Sequence, residues 1–118
     1  MKNNWENATA QEIFDHVVTH LLSQNARATD GFKCYYRAPN GLKCAVGCLI
    51  DDADYKPIME DEGLVKLAMR FSYVEQHAPL LVQLQATHDH HPPPAWPGAL
   101  QSLANNFGLQ YKGLEKTT

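Results

Sequence analysis

Thr9-Ala10-Gln11-Glu12 is a capping box set directly before an apolar stripe, and no other stretch constrains the fold as firmly. The Thr9 hydroxyl can accept from the Glu12 amide while the Glu12 carboxylate reaches back to the Thr9 amide, so two otherwise orphaned donors are satisfied together. Ile13, Phe14, Val17, Val18, Leu21 and Leu22 then fall on one face at helical spacing. The pattern predicts a helix from about Ala10 to Gln24, ending near Asn25, around which the remaining elements pack.

The next readable unit is Cys34 to Ile50. Cys34-Tyr-Tyr-Arg37 suits a short strand. Pro39-Asn40-Gly41 has the φ preferences of a three-residue hairpin loop with a bulge, which would pair Ala38 with Leu42, Tyr36 with Cys44 and Cys34 with Val46. The return segment reads as a short helix from about Ala45, with Cys44 and Cys48 on one face whether it is helix or strand. Gly47 within that apolar run predicts close approach of a neighbouring backbone. Further on, Asp51 to Gly63 reads as an acidic loop, Leu64 to Phe71 as a short helix, and Pro79 as the opening turn of a helix through His88. Pro92-Pro93-Pro94 predicts a stiff extended connector. Pro97 opens a last helix with Leu100, Leu103, Ala104 and Phe107 facing inward, Gly108 as its C′ residue and Leu109 packing back. The expectation is one α+β domain over 1–118, mainly helical with four or five helices and one small β-hairpin at 34–46. Its core spans about 9–109, and the tail from 112 to 118 reads as loose.

Composition narrows the functional classes. Hydrophobic residues at 44% and charged residues at 19% describe a globular chain. A net charge of −3 without a basic cluster argues against nucleic acid as a general partner. No apolar run is long enough to span a membrane, and residues 1–7 lack the apolar h-region of a secretory signal. Three cysteines then read as reduced thiols in a cytosol. Six of the thirteen acids lie between Asp51 and Glu62, whereas no Lys or Arg occurs between Arg70 and Lys112.

Cys34, Tyr36, Arg37, Gly41, Cys44, Ala45, Gly47, Leu49 and Ile50 form a C-x-Y-R segment, a glycine turn and a C-A-x-G-x-L-I segment. This combination resembles a recurring pattern in short, uncharacterised proteins of bacteria and their phages. Leu84-Gln85, His88-Asp89, Trp96 and Phe107-Gly108-Leu109 are similar as well, so the resemblance covers roughly 10 to 109. It implies a bacterial or phage setting and a design shared by Cys34, Arg37, Cys44, His88, Asp89 and Trp96. It implies no activity.

Three chemistries are worth weighing. Cys34, Cys44 and Cys48, with His88 or His90, offer four zinc ligands, but C-x9-C-x3-C departs from the C-x2-C pairs that turn two sulfurs onto one ion, so core packing of the thiols is preferred. Cys44 at a helix start, with His88-Asp89 as base, would make a nucleophile. Adjacent helical residues point about 100° apart, however, so Asp89 is not expected to orient His88. In the predicted register Cys34 and Cys44 are diagonal, about 7 Å apart, which disfavours a disulfide. Asp51, Asp52 and Asp54 lack EF-hand spacing and suit docking of a basic partner instead. Arg37 is expected to pair with Asp51 or Asp52 or to meet an anion, and Trp96 to pack in the core or anchor a partner. No cofactor is expected. The favoured reading is a small accessory protein that binds a protein partner through residues such as Arg37, Asp51, Asp52, Asp54 and Trp96. The alternative is a cysteine-dependent enzyme or zinc-stabilised domain centred on Cys44 and His88.

Overall fold

In a computed structural model, which describes residues 5–114, helix α1 spans Ala10–Gln24 with both bonds of the capping box formed, at 3.1 Å and 2.8 Å. It ends at Asn25, whose φ of 51° places it in the left-handed region that Asn tolerates. Ile13, Phe14, Val17, Val18 and Leu21 are buried, and α4 (Ala78–His90) and α5 (Trp96–Phe107) pack against this face. Between them in sequence lie α2 (Leu64–Arg70) and α3 (Ser72–Gln76). They are separated by the extended backbone of Phe71, a break without a side-chain cap. The result is a single mainly helical body with a Cα radius of gyration of 13.5 Å.

Among the described residues there is no β-strand, so the hairpin expected at 34–46 survives only as a tight ribbon. Ala38 donates to Leu42 O at 2.8 Å, Cys44 donates to Tyr36 O at 3.2 Å, and Arg37 stands opposite Lys43. Cys34 does not reach Val46. It pairs with Thr29 across a second short bridge, because the Val46 amide is taken by Gln85 Oε1 at 3.1 Å and the chain turns away there. The helix expected from Ala45 is a single 3-10 turn, Gly47–Leu49. Gly47 is required at this point. A Cβ there would sit 2.0 Å from Tyr36 O.

Three other expectations are corrected. The acidic segment is not a plain loop: Pro57–Asp61 is a 3-10 turn that buries Met59. The proline run is extended only at Pro92, and Pro93–Ala95 turns directly into α5. Phe107 lies 37% exposed rather than facing inward. Gly108, with φ 68°, and Leu109 complete a Schellman motif, Leu109 donating to Ala104 O at 2.8 Å. Past it, Gln110 exchanges two bonds with the Gln11 side chain and Lys112 meets Asp15 at 3.3 Å, so the chain is tied to α1 at least through Lys112. The rest of the expected loose tail, 115–118, lies outside the described residues.

Candidate functional site

The last turn of α4 delivers His88 and Asp89 to the loop after α1. His88 is wholly buried. Its Nε2 accepts from the Ala28 amide at 2.9 Å, and its Nδ1 lies 2.7 Å from Asp89 Oδ1. Nitrogen can accept from an amide only through a lone pair, so the ring proton sits on Nδ1 and points at the carboxylate. The expectation that Asp89 would not readily orient His88 is overturned. Nδ1 is the ring nitrogen nearest its own backbone, and it needs little reach to meet the neighbouring carboxylate. Gln85 secures Asp89 from the preceding turn at 3.0 Å. Burial pushes the Asp89 carboxyl up, but its bonds, those from His88 and Gln85 foremost, together with the nearby His88 ring hold it below its ordinary value. Trp96 stacks on His88 with centroids 5.8 Å apart and donates its indole N–H to Thr87 O and His91 O at 3.1 and 3.0 Å. It has no exposed surface, which fits packing in the core rather than anchoring a partner.

Cys34, not Cys44, completes this group. Ligand atoms of Cys34, His88 and Asp89 lie within 4.8 Å of one another. The imidazole nevertheless does not suit a metal here. An ion on Nδ1 would require the proton to move to Nε2, where it would confront the Ala28 N–H. Metal-bound histidines instead turn their second nitrogen toward an acceptor. Nor does the group suit a nucleophile. Burial, then the Asp89 charge, push the Cys34 thiol up, and the imidazole that would deprotonate it is occupied on both sides. Cys44 is fully buried with its thiol pushed up to about 12 by burial, and its sulfur accepts from the Gly47 amide at 3.3 Å. Cys48 is partly buried, burial again raises its thiol strongly, and it donates to Ala45 O at 3.1 Å. The three thiols are free and do not converge on one point.

Arg37 and the acids form a second internal network. Arg37 donates to Ile50 O at 2.6 Å, stacks on Tyr55 and meets Asp52 at 2.7 Å. Asp52 itself is exposed, so this ion pair adds little stability. The residue that organises the network is Glu60, which the spacing of charges did not single out. Its carboxylate accepts from the amides of Tyr36 and Arg37 at 2.9 and 3.0 Å and from the Tyr55 hydroxyl at 2.5 Å. Glu62 is clamped by Arg70 through two bonds, which hold its carboxyl below its ordinary value. Two of the six clustered acids therefore bind the fold together. Asp51 and Asp54 lie half-buried beside them.

Two of the open surfaces bear on binding. One is a largely apolar trough lined by Leu64, Val65, Ala68 and Met69 of α2, Glu75 of α3, and Ala78 and Val82 of α4. Val65 is 81% and Met69 83% exposed. The other is a cleft between α1 and residues 41–48, lined among others by His16, His20, Lys43 and Cys48. Neither entered the sequence expectations, although two histidines one helical turn apart were a readable signal. No helix among the described residues is long and apolar enough to cross a membrane. Comparison with protein-family models, curated proteins and solved structures gave no match.

Proposed function

We propose that this chain is a binding module, in the bacterial or phage setting its sequence resemblance implies, and that its partner is a protein offering an apolar helix to the α2–α4 trough. The observation that carries the reading is the outward display of Val65 and Met69. They stand one helical turn apart and leave two large apolar side chains more than four-fifths in water. Such a face costs solubility unless something covers it. Leu64, Ala68, Ala78 and Val82 floor the trough, a shape suited to the i, i+3, i+4 anchors of an amphipathic helix. Met69 adapts to a partner's contour because its side chain is flexible and polarizable. The polar networks favour binding over catalysis as well, since His88, Asp89 and Arg37 direct their bonds to the chain's own backbone and side chains. The acidic face at Asp51, Asp52 and Asp54 is the lesser candidate, because Asp52 already meets Arg37.

The test places a photo-crosslinking residue at position 69 in the host and identifies the adduct. Val65→Asp with Met69→Asp should leave stability within about 0.5 kcal/mol, as exposed positions do. The same pair should abolish capture of the protein found with the parent chain, while Asp51→Asn with Asp54→Asn retains it. Equal capture by the Val65→Asp, Met69→Asp variant would refute the proposal. An adduct only with a second copy of the chain would replace a foreign partner by self-association.

A further inference from the structure

We propose that His16 and His20 form a site for one divalent transition-metal ion, of the class that includes zinc, nickel and copper, bound through their two Nδ1 atoms. The site uses no residue of the α2–α4 trough and stands independently of that reading. Both histidines lie on α1 in an H-x-x-x-H arrangement, which puts them on one face with Cβ atoms about 5–6 Å apart. Two nitrogen–metal bonds of about 2.0–2.1 Å can bridge such a pair.

The hydrogen bonds settle which nitrogen is available. His16 Nε2 lies 3.3 Å from Cys48 O, and His20 Nε2 lies 2.8 Å from Lys43 O. A carbonyl oxygen only accepts, so each Nε2 carries the proton and each Nδ1 keeps its lone pair. Neither Nδ1 has a hydrogen-bond partner among the described residues. Nor is either Nδ1 among the sealed-off polar atoms of the described residues, such as Trp5 Nε1 and Arg37 Nε. Neither Nδ1 is therefore sealed off from solvent, and both rings line a cleft of about 630 Å³.

This is the arrangement that holds metal-binding histidines elsewhere, with the far nitrogen donating to a backbone carbonyl and fixing tautomer and orientation. It is the reverse of His88, whose far nitrogen faces a donor. The Trp5 ring, 4.8 Å from His16 between centroids, restrains that imidazole further. Burial also holds the His20 imidazole below its ordinary value, so near neutral pH a metal need not displace a proton there. Lys43 lines the same cleft and opposes a cation, although its ammonium lies 4.0 Å from Asp52. Cys48 keeps its bond to Ala45 O, so the two imidazoles are completed by water. Imidazole ligands select zinc, nickel and copper over magnesium and calcium.

The experiment is calorimetric titration of the full chain, free of any affinity tag, with ZnCl2, NiCl2, CuCl2 and MgCl2 at pH 7.5. One equivalent each of zinc, nickel and copper should bind, copper most tightly, and magnesium should not. His16→Asn and His20→Asn should each weaken binding by about tenfold or more, the least that disturbing a metal shell costs. Cys34→Ser should bind as the parent does. Because the histidine substitutions also remove carbonyl bonds, amide NMR of the parent chain gives a second readout. Copper should broaden signals around residues 16 and 20 first. Absence of binding at metal up to about 1 mM, unchanged binding in His16→Asn and His20→Asn, or broadening centred on residues 88–91 would each overturn the proposal.

Discussion

Replacing Gly47 by alanine adds one methyl group to a place where none fits. The new Cβ would lie 2.0 Å from Tyr36 O, 2.7 Å from its carbonyl carbon and 3.0 Å from its Cα, where ordinary contact begins at 3.4 Å. Backbone must therefore yield by more than 1 Å. Tyr36 is poorly placed to do so. Its amide donates to Glu60, its carbonyl accepts from Cys44, and its hydroxyl donates to Glu62 O at 2.6 Å. Overpacking a tight site costs about 1–3 kcal/mol. Breaking the bond to the Cys44 amide, on a buried residue, adds about 1–3 kcal/mol. The sum, about 2–6 kcal/mol, is a large share of the roughly 5–15 kcal/mol that holds a typical domain together. Urea denaturation followed by circular dichroism should show the midpoint falling by on the order of 1–3 M with the slope unchanged. Gly98→Ala is the matched control. Its Cβ meets nothing within 4 Å, and it lies within α5, so alanine should stabilise by up to about 1 kcal/mol. A Gly47→Ala midpoint matching the parent would refute the claim that Gly47 exists to admit the Tyr36 carbonyl.

Native-state alkylation at pH 8, read by peptide mass spectrometry, should label Cys34 first and leave Cys44 unmodified until the chain unfolds, since only the thiolate reacts and burial lifts the Cys44 thiol to about 12. Trp96→Ala should cost about 3–5 kcal/mol in the same urea assay, because the residue is wholly buried and its indole holds two carbonyls at the α4–α5 junction. Acid sensitivity should have two parts. His20 is held below its ordinary value, so the unfolded chain takes up the proton first, and stability falls as pH drops below about 6.5. Asp89 is likewise depressed, so its contribution is present above the unfolded carboxylate value of about 3.9 and is lost as pH falls through the lower folded value. Stability measured against pH should therefore flatten between about pH 7 and 5 in His20→Gln, and below about pH 4 in Asp89→Asn. Parent-like slopes in both would refute the assignment.

The parts of this fold legible in the sequence are those whose determinants are local. The Thr9–Glu12 box, the Gly108 cap and the Pro79 start each depend on residues within one or two turns, and each forms where its residues indicate. The 38–42 turn is local too, and Ala38 bonds Leu42 as its register predicts. What the ribbon does beyond Tyr36–Cys44 is not local. Gln85, 39 residues from Val46, captures the Val46 amide and ends the pairing. Glu60 was hidden for the same reason: a glutamate in an acidic run gives no sign that two amides from another segment will bind it. His88-Asp89 was legible as a pair but misjudged as a geometry.

The two histidine environments show why residue type alone did not identify the chemistry. An imidazole bonded to a donor and an acceptor is spent on structure. His88 joins the loop at Ala28 to the end of α4 and has no nitrogen left for a substrate or an ion. An imidazole bonded only to an acceptor retains a free lone pair, and His16 and His20 both do so on rings that line an open cleft. The difference lies in the neighbours, an amide N–H in one case and backbone carbonyls in the other, and neither neighbour is close in sequence. His88 attracted the functional reading because it sits beside an aspartate in a shared motif. The environment instead makes it a clasp, and it leaves the reactive lone pairs on the helix that first announced the fold.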